Sequence, residues 1–248
     1  MNQHIQFMQK EKFKNFVKKI PASFDLLTAE LIFVFSVFII SLTSLIIIIR
    51  TIFYNKEDMV DQKVFDFILP FITNTNTEII LFFSFLGSYY FMVPAWLLIF
   101  SYYLFIRKKL WEFIKTLTIA VSNLAMLLGL KLFFNRPRPL VPLLKEIPGL
   151  SFPSGHAFMG FIFYGLLIYI SYREISNKRP KLITIIILIF LIILVGFSRV
   201  YLRVHYASDV IAGYCFGFLS LSILIVLLKK IEKFNSKNSV PQVTQFTF

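Results

Sequence analysis

His156 and His205 are two of the three histidines in this 248-residue chain, and each lies in a short polar motif between apolar runs. His156 ends Pro153-Ser154-Gly155-His156. His205 lies in Ser198-Arg199, five residues, His205, three residues, Asp209. Upstream, Lys131 is followed by Arg138-Pro139. Lys131, Arg138 and Arg199, with two imidazoles and a carboxylate, form a set able to attack a phosphate ester without a metal. Three cations converging on one point are costly unless an anion lies between them, and a phosphate suits that place. Arginine can hold two of its oxygens while lysine acts as a point charge.

Pro153-Ser154-Gly155-His156 has the form of a helix start. Ser154 can cap the helix, Gly155 allows a ligand close to the backbone, and the free N–H groups there favour an anion. His156 at that point can give a proton to a leaving oxygen. His205 and Asp209 are four apart and share a face if helical. A carboxylate accepting the Nδ1 hydrogen leaves Nε2 with a lone pair as nucleophile. Taken singly, each residue also has a plainer reading: Lys131 and Arg199 as interface anchors, Arg136 and Arg138 as an external basic loop, His205 and Asp209 as a brace at a helix end.

These residues need elements to position them, and composition says which. Hydrophobic residues make up 57% of the chain and aromatics 18%, and the mean hydropathy is +0.75, well above a soluble domain. Uncharged stretches cover 31–49, 79–106, 116–130, 157–172, 182–198 and 210–228. A bilayer core needs about 20 apolar residues, so an all-α polytopic protein with six transmembrane helices is expected. A cleavable signal peptide is not expected, because residues 31–49 follow some thirty residues bearing Lys10, Lys12, Lys14, Lys18 and Lys19 and no small-residue cleavage site. The expected organisation is a basic N-terminal segment 1–30, a membrane domain 31–230 and a polar tail 231–248.

The net charge of +13 is unevenly spread. With six spans, the N-terminal lysines, Arg107 to Lys109 with Lys115, the Arg173–Lys181 group and Lys229, Lys230, Lys233 and Lys237 all fall on one side, and they are the majority of the 26 cations. The positive-inside rule then puts both termini in the cytoplasm of a plasma-membrane protein and the 131–156 and 198–209 loops outside. Every motif residue meets at one membrane boundary. Attraction to anionic lipid explains the charge, and neither nucleic acid nor an obligate protein partner is expected.

In the first external segment, 50–78, Val60, Val64, Phe67, Ile68 and Phe71 recur at helical spacing between Asp58, Asp61, Lys63 and Asp66. A short amphipathic helix at the outer interface is expected, as a lid, a substrate guide or a connector. The 79–106 stretch exceeds one straight span and contains Gly87-Ser88 and Pro94, so it is either kinked or re-entrant. Cys215 stands alone in an apolar helix and reads as a packing residue.

Lys131-x6-Arg138-Pro139, Pro153-Ser154-Gly155-His156 and Ser198-Arg199-x5-His205-x3-Asp209 match the signature of the type 2 phosphatidic acid phosphatase superfamily. In motif order and six-span layout the chain resembles its bacterial membrane lipid-phosphatase branch over residues 25–230. The resemblance implies a metal-independent phosphatase without cofactor, working through a phosphohistidine. His205 would be the nucleophile, Asp209 its orienting carboxylate and His156 the general acid. Lys131, Arg138, Arg199, Ser154 and Gly155 would hold the phosphoryl oxygens. Ala207 departs from the proline many relatives carry after His-Tyr, which alters local stiffness only.

The expected activity is removal of a terminal phosphate from a membrane lipid, undecaprenyl diphosphate first. Phosphatidylglycerol phosphate, phosphatidic acid and diacylglycerol diphosphate are alternatives. A lipid phosphotransferase is a nearer rival than a vanadate haloperoxidase. An anion transporter is remote, since transporters place ionisable groups near the midplane.

Overall fold

The computed structural model describes residues 21–140, 142–143 and 148–238, and all regular structure among them is helical. The lysines before residue 20 and the tail beyond 238 lie outside the described residues. Helix α1 spans Pro21–Ile49 and continues as a π turn, Arg50–Tyr54. Then come α2, Met59–Ile68, with a 3-10 turn to Phe71, α3, Asn74–Leu86, and α4, Tyr89–Ser101, with a π turn to Ile106. They are followed by α5, Leu110–Phe134, α6, Gly155–Glu174, α7, Lys178–Tyr201, and α8, Ala207–Asn238.

Six segments are long and apolar enough to cross a bilayer: Leu31–Tyr54, Asn74–Ile106, Leu110–Phe134, Gly155–Glu174, Lys178–Tyr201 and Ala207–Asn235. Leu98, Leu132 and Phe133 are 72%, 75% and 80% exposed, which suits a lipid surround and not water. The chain is a multi-pass, all-helical membrane protein.

The chain divides into two compact units, Met1–Thr43 and Ser44–Phe248. In the described part of the first, Leu31, Ile32, Phe33 and Phe35 are exposed along α1, and Thr43 returns its hydroxyl to the Ile39 carbonyl.

In the second unit α6 is the central helix, packed most extensively against α7 and α8. Phe158, Ile162 and Val195 are fully buried in its core. Small residues permit the close approach. A Cβ on Gly196 of α7 would fall on the Tyr214 hydroxyl of α8, and one on Gly213 would lie 3.0 Å from Ala157 Cβ. Tyr214 donates to the Ile192 carbonyl at 2.7 Å, tying α8 to α7. Deeper in the membrane the Ser220 hydroxyl donates to Asn123 Oδ1 at 2.6 Å, pairing α8 with α5. Cys215 is buried beside Phe152 and Ala212, as its place in an apolar helix suggested.

The 79–106 stretch is two helices interrupted at Gly87-Ser88, where Ser88 is extended (ψ 158°). Pro94 lies inside α4 without ending it. Gly87 is required there, because a Cβ would collide with Val195 and come within 2.9 Å of His156 Cδ2.

The amphipathic helix exists as α2, but only part of its apolar stripe turns inward, with Ile68 buried and Val64 packed against the same core. Asp61, Phe65 and Ile68 are buried, while Val60, Phe67 and Phe71 are exposed. A carboxylate replaces an aliphatic side chain on the buried face because it finds charged and polar partners there.

Replacing Gly196 with alanine should overpack the α7–α8 contact and cost roughly 1–3 kcal/mol. The expected result is a lower thermal midpoint in detergent, followed by tryptophan fluorescence. Gly129→Ala, with nothing within 4 Å of its added methyl, should leave the midpoint unchanged.

Candidate active site

Three local devices bring the motifs to one place. Asn135, in the left-handed conformation (φ 45°), ends α5 and releases Arg136-Pro137-Arg138-Pro139 as a non-helical segment. Ser154 caps α6 by accepting from the Ala157 N–H, as its position in the motif suggested. Between α7 and α8 the chain turns so tightly that the Val204 and His205 N–H groups both donate to the Arg199 carbonyl, at 3.1 and 3.2 Å. The Gly213–Ala157 approach then sets the start of α6 against α8, and Ser154 N donates to the Asp209 carbonyl at 3.0 Å.

His205 and Asp209 do pair, with Nδ1 3.4 Å from Oδ2. His205, however, lies in the connection before α8 and not on the helix, so the tight turn holds the pair and not a shared helical face. His205 is 2% exposed and Asp209 fully buried. The Asp209 Oδ2 also accepts from the Tyr206 N–H at 3.0 Å and from the Ser151 hydroxyl in a short contact. Ser151 Oγ is 3.3 Å from His205 Nδ1.

On the other side of the ring, Arg138 Nη1 lies 3.3 Å from His205 Nε2. A guanidinium only donates, so Nε2 is the accepting, unprotonated nitrogen and Nδ1 carries the hydrogen toward Asp209. Burial pushes His205 down to about 4, with Arg138 and Arg199 adding to that push and Asp209 opposing it. The neutral ring with its lone pair at Nε2 is the ground state.

The remaining expected residues surround this ring. Arg138 is held by the Gly149 and Val204 carbonyls, at 3.1 and 2.9 Å. Lys131 donates to the Leu150 carbonyl at 2.6 Å. Gly155 leaves room beside Lys131, whose Cε would lie 3.9 Å from an added Cβ. Arg199 is buried, donates to Ser84 Oγ on α3, and its Nε has no partner among the described residues. The charges of Arg199, His205, Arg138 and Lys131 all bear on His156. All eight expected residues therefore belong to one constellation, and an anion entering it meets unshared donors.

Four residues were missed by reasoning from sequence. Ser84 holds Arg199 and Ser151 bridges His205 and Asp209. Arg136 donates to Asp209 Oδ1 at 2.6 Å and to Asp61 Oδ2 at 2.9 Å. Arg136 had a signal, the repeated Arg-Pro of 136–139, whereas Asp61 looked like one more acid on an exposed helix.

An apolar groove of about 410 Å³ runs between α4, α5 and α6 and ends on Gly155 and His156. Trp96, Phe100, Leu124 and Met159 line it.

Residues 110–233 match the PAP2 superfamily. The chain is 31% identical over 155 residues to phosphatidylglycerophosphatase B of Bacillus subtilis (strain 168), covering 61% of this chain and 75% of that protein. Its fold matches the crystal structure of the first transmembrane PAP2-type phosphatidylglycerolphosphate phosphatase from B. subtilis, with a TM-score of 0.69 and 25% identity. That match covers 81% of this chain and 98% of the other. Aquifex aeolicus LpxE matches less closely, with a TM-score of 0.50 and 25% identity over 66% of this chain and 94% of its own. With its family match spanning the motif-bearing half of the chain, the protein belongs to the PAP2 superfamily of membrane lipid phosphatases.

Proposed function

We propose that the protein hydrolyses the terminal phosphate of a lipid phosphate at the outer face of the plasma membrane, through a phosphohistidine and without metal. The observation that carries this is His205 with Nδ1 against Asp209 and Nε2 facing Arg138. Nε2 attacks phosphorus and the bond to the lipid oxygen breaks. His156 gives that oxygen its proton. Arg138, Arg199 and Lys131, with the Ser154 hydroxyl and the Gly155 N–H, take the charge that builds on the phosphoryl oxygens, the largest expected rate term. His156, now deprotonated, takes a proton from water as it attacks the phosphohistidine. Inorganic phosphate leaves and His205 is restored.

The groove ending on His156 suits an apolar chain whose phosphate lies at the site. Similarity to phosphatidylglycerophosphatase B brings phosphatidylglycerol phosphate forward as substrate. Undecaprenyl diphosphate, the substrate expected from sequence, is the second reading. It is supported by the cation distribution, which puts the termini inside and the site outside, where the spent envelope-lipid carrier needs recycling. Phosphate release by purified protein in mixed micelles, with the two lipids and phosphatidic acid side by side, ranks them. Added lipid acceptors in the same assay would reveal transfer in place of hydrolysis.

His205→Ala and Asp209→Ala should insert and purify normally but lose activity, the first by about 1,000-fold or more. EDTA should leave wild-type turnover unchanged. Full turnover by His205→Ala would remove the assignment. The acid limb of kcat/KM, which reports the free enzyme, should follow His205 and fall near pH 4, below the ordinary histidine range near 6.5. Leu124→Trp should obstruct the groove and raise KM for a long-chain substrate by about tenfold. It should leave the hydrolysis of a small soluble phosphate ester unaltered, and equal losses on both would argue against the groove as the chain site.

A further inference from the structure

The buried Asp61–Arg136 pair lies one contact behind the proposed chemistry and has no part in the steps above. Arg136 is 8% exposed and its guanidinium stacks 3.9 Å from the Tyr206 ring centre. Through Nη1 it donates to Asp209 Oδ1 at 2.6 Å and to Ser208 Oγ at 2.9 Å. Nη2 donates to Asp61 Oδ2 at 2.9 Å. Asp61, 2% exposed, also accepts from the Ser208 N–H at 2.9 Å and its hydroxyl at 2.6 Å. One external helix, α2, is thereby locked to the loop after α5 and to the first turn of α8.

We propose that Arg136 and Asp61 are positioning residues for the phosphoryl transfer, with α2 acting through them as the strap that orients the Asp209 carboxylate. This rests on the reading of His205 as nucleophile. Arg136 takes Oδ1, which fixes the carboxylate plane and leaves Oδ2 for His205, Ser151 and Tyr206 N. It also offsets the Asp209 charge that would otherwise draw a proton onto His205.

Without Arg136, two carboxylates, Asp61 and Asp209, lose the cation they share. Either the imidazole or a carboxylate then binds a proton at higher pH, and both outcomes remove the nucleophile's working state. The sign is therefore the same by either route. The other charged or titratable groups facing His205 are Arg138 from the loop, Arg199 from α7 and His156 from α6, with Lys131 from α5 facing His156. None of them contacts Asp61, so they are unchanged by the substitution.

The test is Arg136→Met in the full-length protein, with the three histidines 13C,15N-labelled and followed by NMR against pH, alongside steady-state kinetics. The expected result is an acid limb and an NMR midpoint of His205 or its pair both moved up in pH. At the wild-type optimum, kcat should fall about tenfold while KM changes less than about twofold. Arg136→Lys should restore part of both. If Arg136→Met does not fold, Arg136→Met with Asp61→Asn removes the bare carboxylate and carries the same expectations. An unchanged kcat or an unchanged midpoint in folded protein overturns the proposal. The midpoint is read without turnover, whereas the nucleophile reading falls on a fully active His205→Ala protein, so the two failures are distinct.

Discussion

A carboxylate with no exposure at a membrane boundary is the constraint around which this structure is arranged. Burying an ionised group costs several kcal/mol unless it is matched by charge and hydrogen bonds. Asp209 is matched from every side: by Arg136, by Ser151, by the Tyr206 N–H and by the His205 ring. The donors come from three separate stretches of chain, so satisfying one carboxylate requires the loop after α5, the segment leading into α6 and the α7–α8 turn to meet. The fold of this end of the helices follows from that requirement.

The same requirement makes the site chemically asymmetric. His205 has an anion behind Nδ1 and a cation before Nε2, and both favour the tautomer with the lone pair facing outward. The ring is neutral because burial outweighs the carboxylate's attraction. Arg138, Arg199 and Lys131 are held by backbone carbonyls and Ser84, with few acids to neutralise them. Asp209, the acid nearest His205, is already committed. The cations therefore remain available to an anion, and preorganised charge of this kind contributes more than contacts that form only after binding.

The opposite membrane boundary shows the contrast. There Lys115 is buried and meets Glu112 at 2.8 Å and Glu232 at 3.1 Å, while Arg107 meets Glu174 at 3.3 Å. Those cations are paired with acids and tie helix ends together. At the other end Arg136 follows the same pattern, paired with Asp61 and Asp209, whereas Lys131, Arg138 and Arg199 have no ion pair among the described residues.

The sequence by itself determined the six spans, the helix start at Ser154 and the gathering of Lys131, Arg138, His156, Arg199, His205 and Asp209 at one end of the helices. It could do so because apolar runs of bilayer length have no other stable place, and polar motifs between them must gather at span ends. The interruption at Gly87-Ser88 was legible as a weak point, but the close packing of the His156 ring and Val195 against Gly87 was not. Tertiary structure alone decided that Asp61 turns inward, that Arg136 belongs behind Asp209 and that Ser84 and Ser151 complete the site. Their partners lie 54 to 147 residues away in sequence, and no local periodicity records contacts over that distance. A charge on a short surface helix reads as solvated until the fold brings another charge to it.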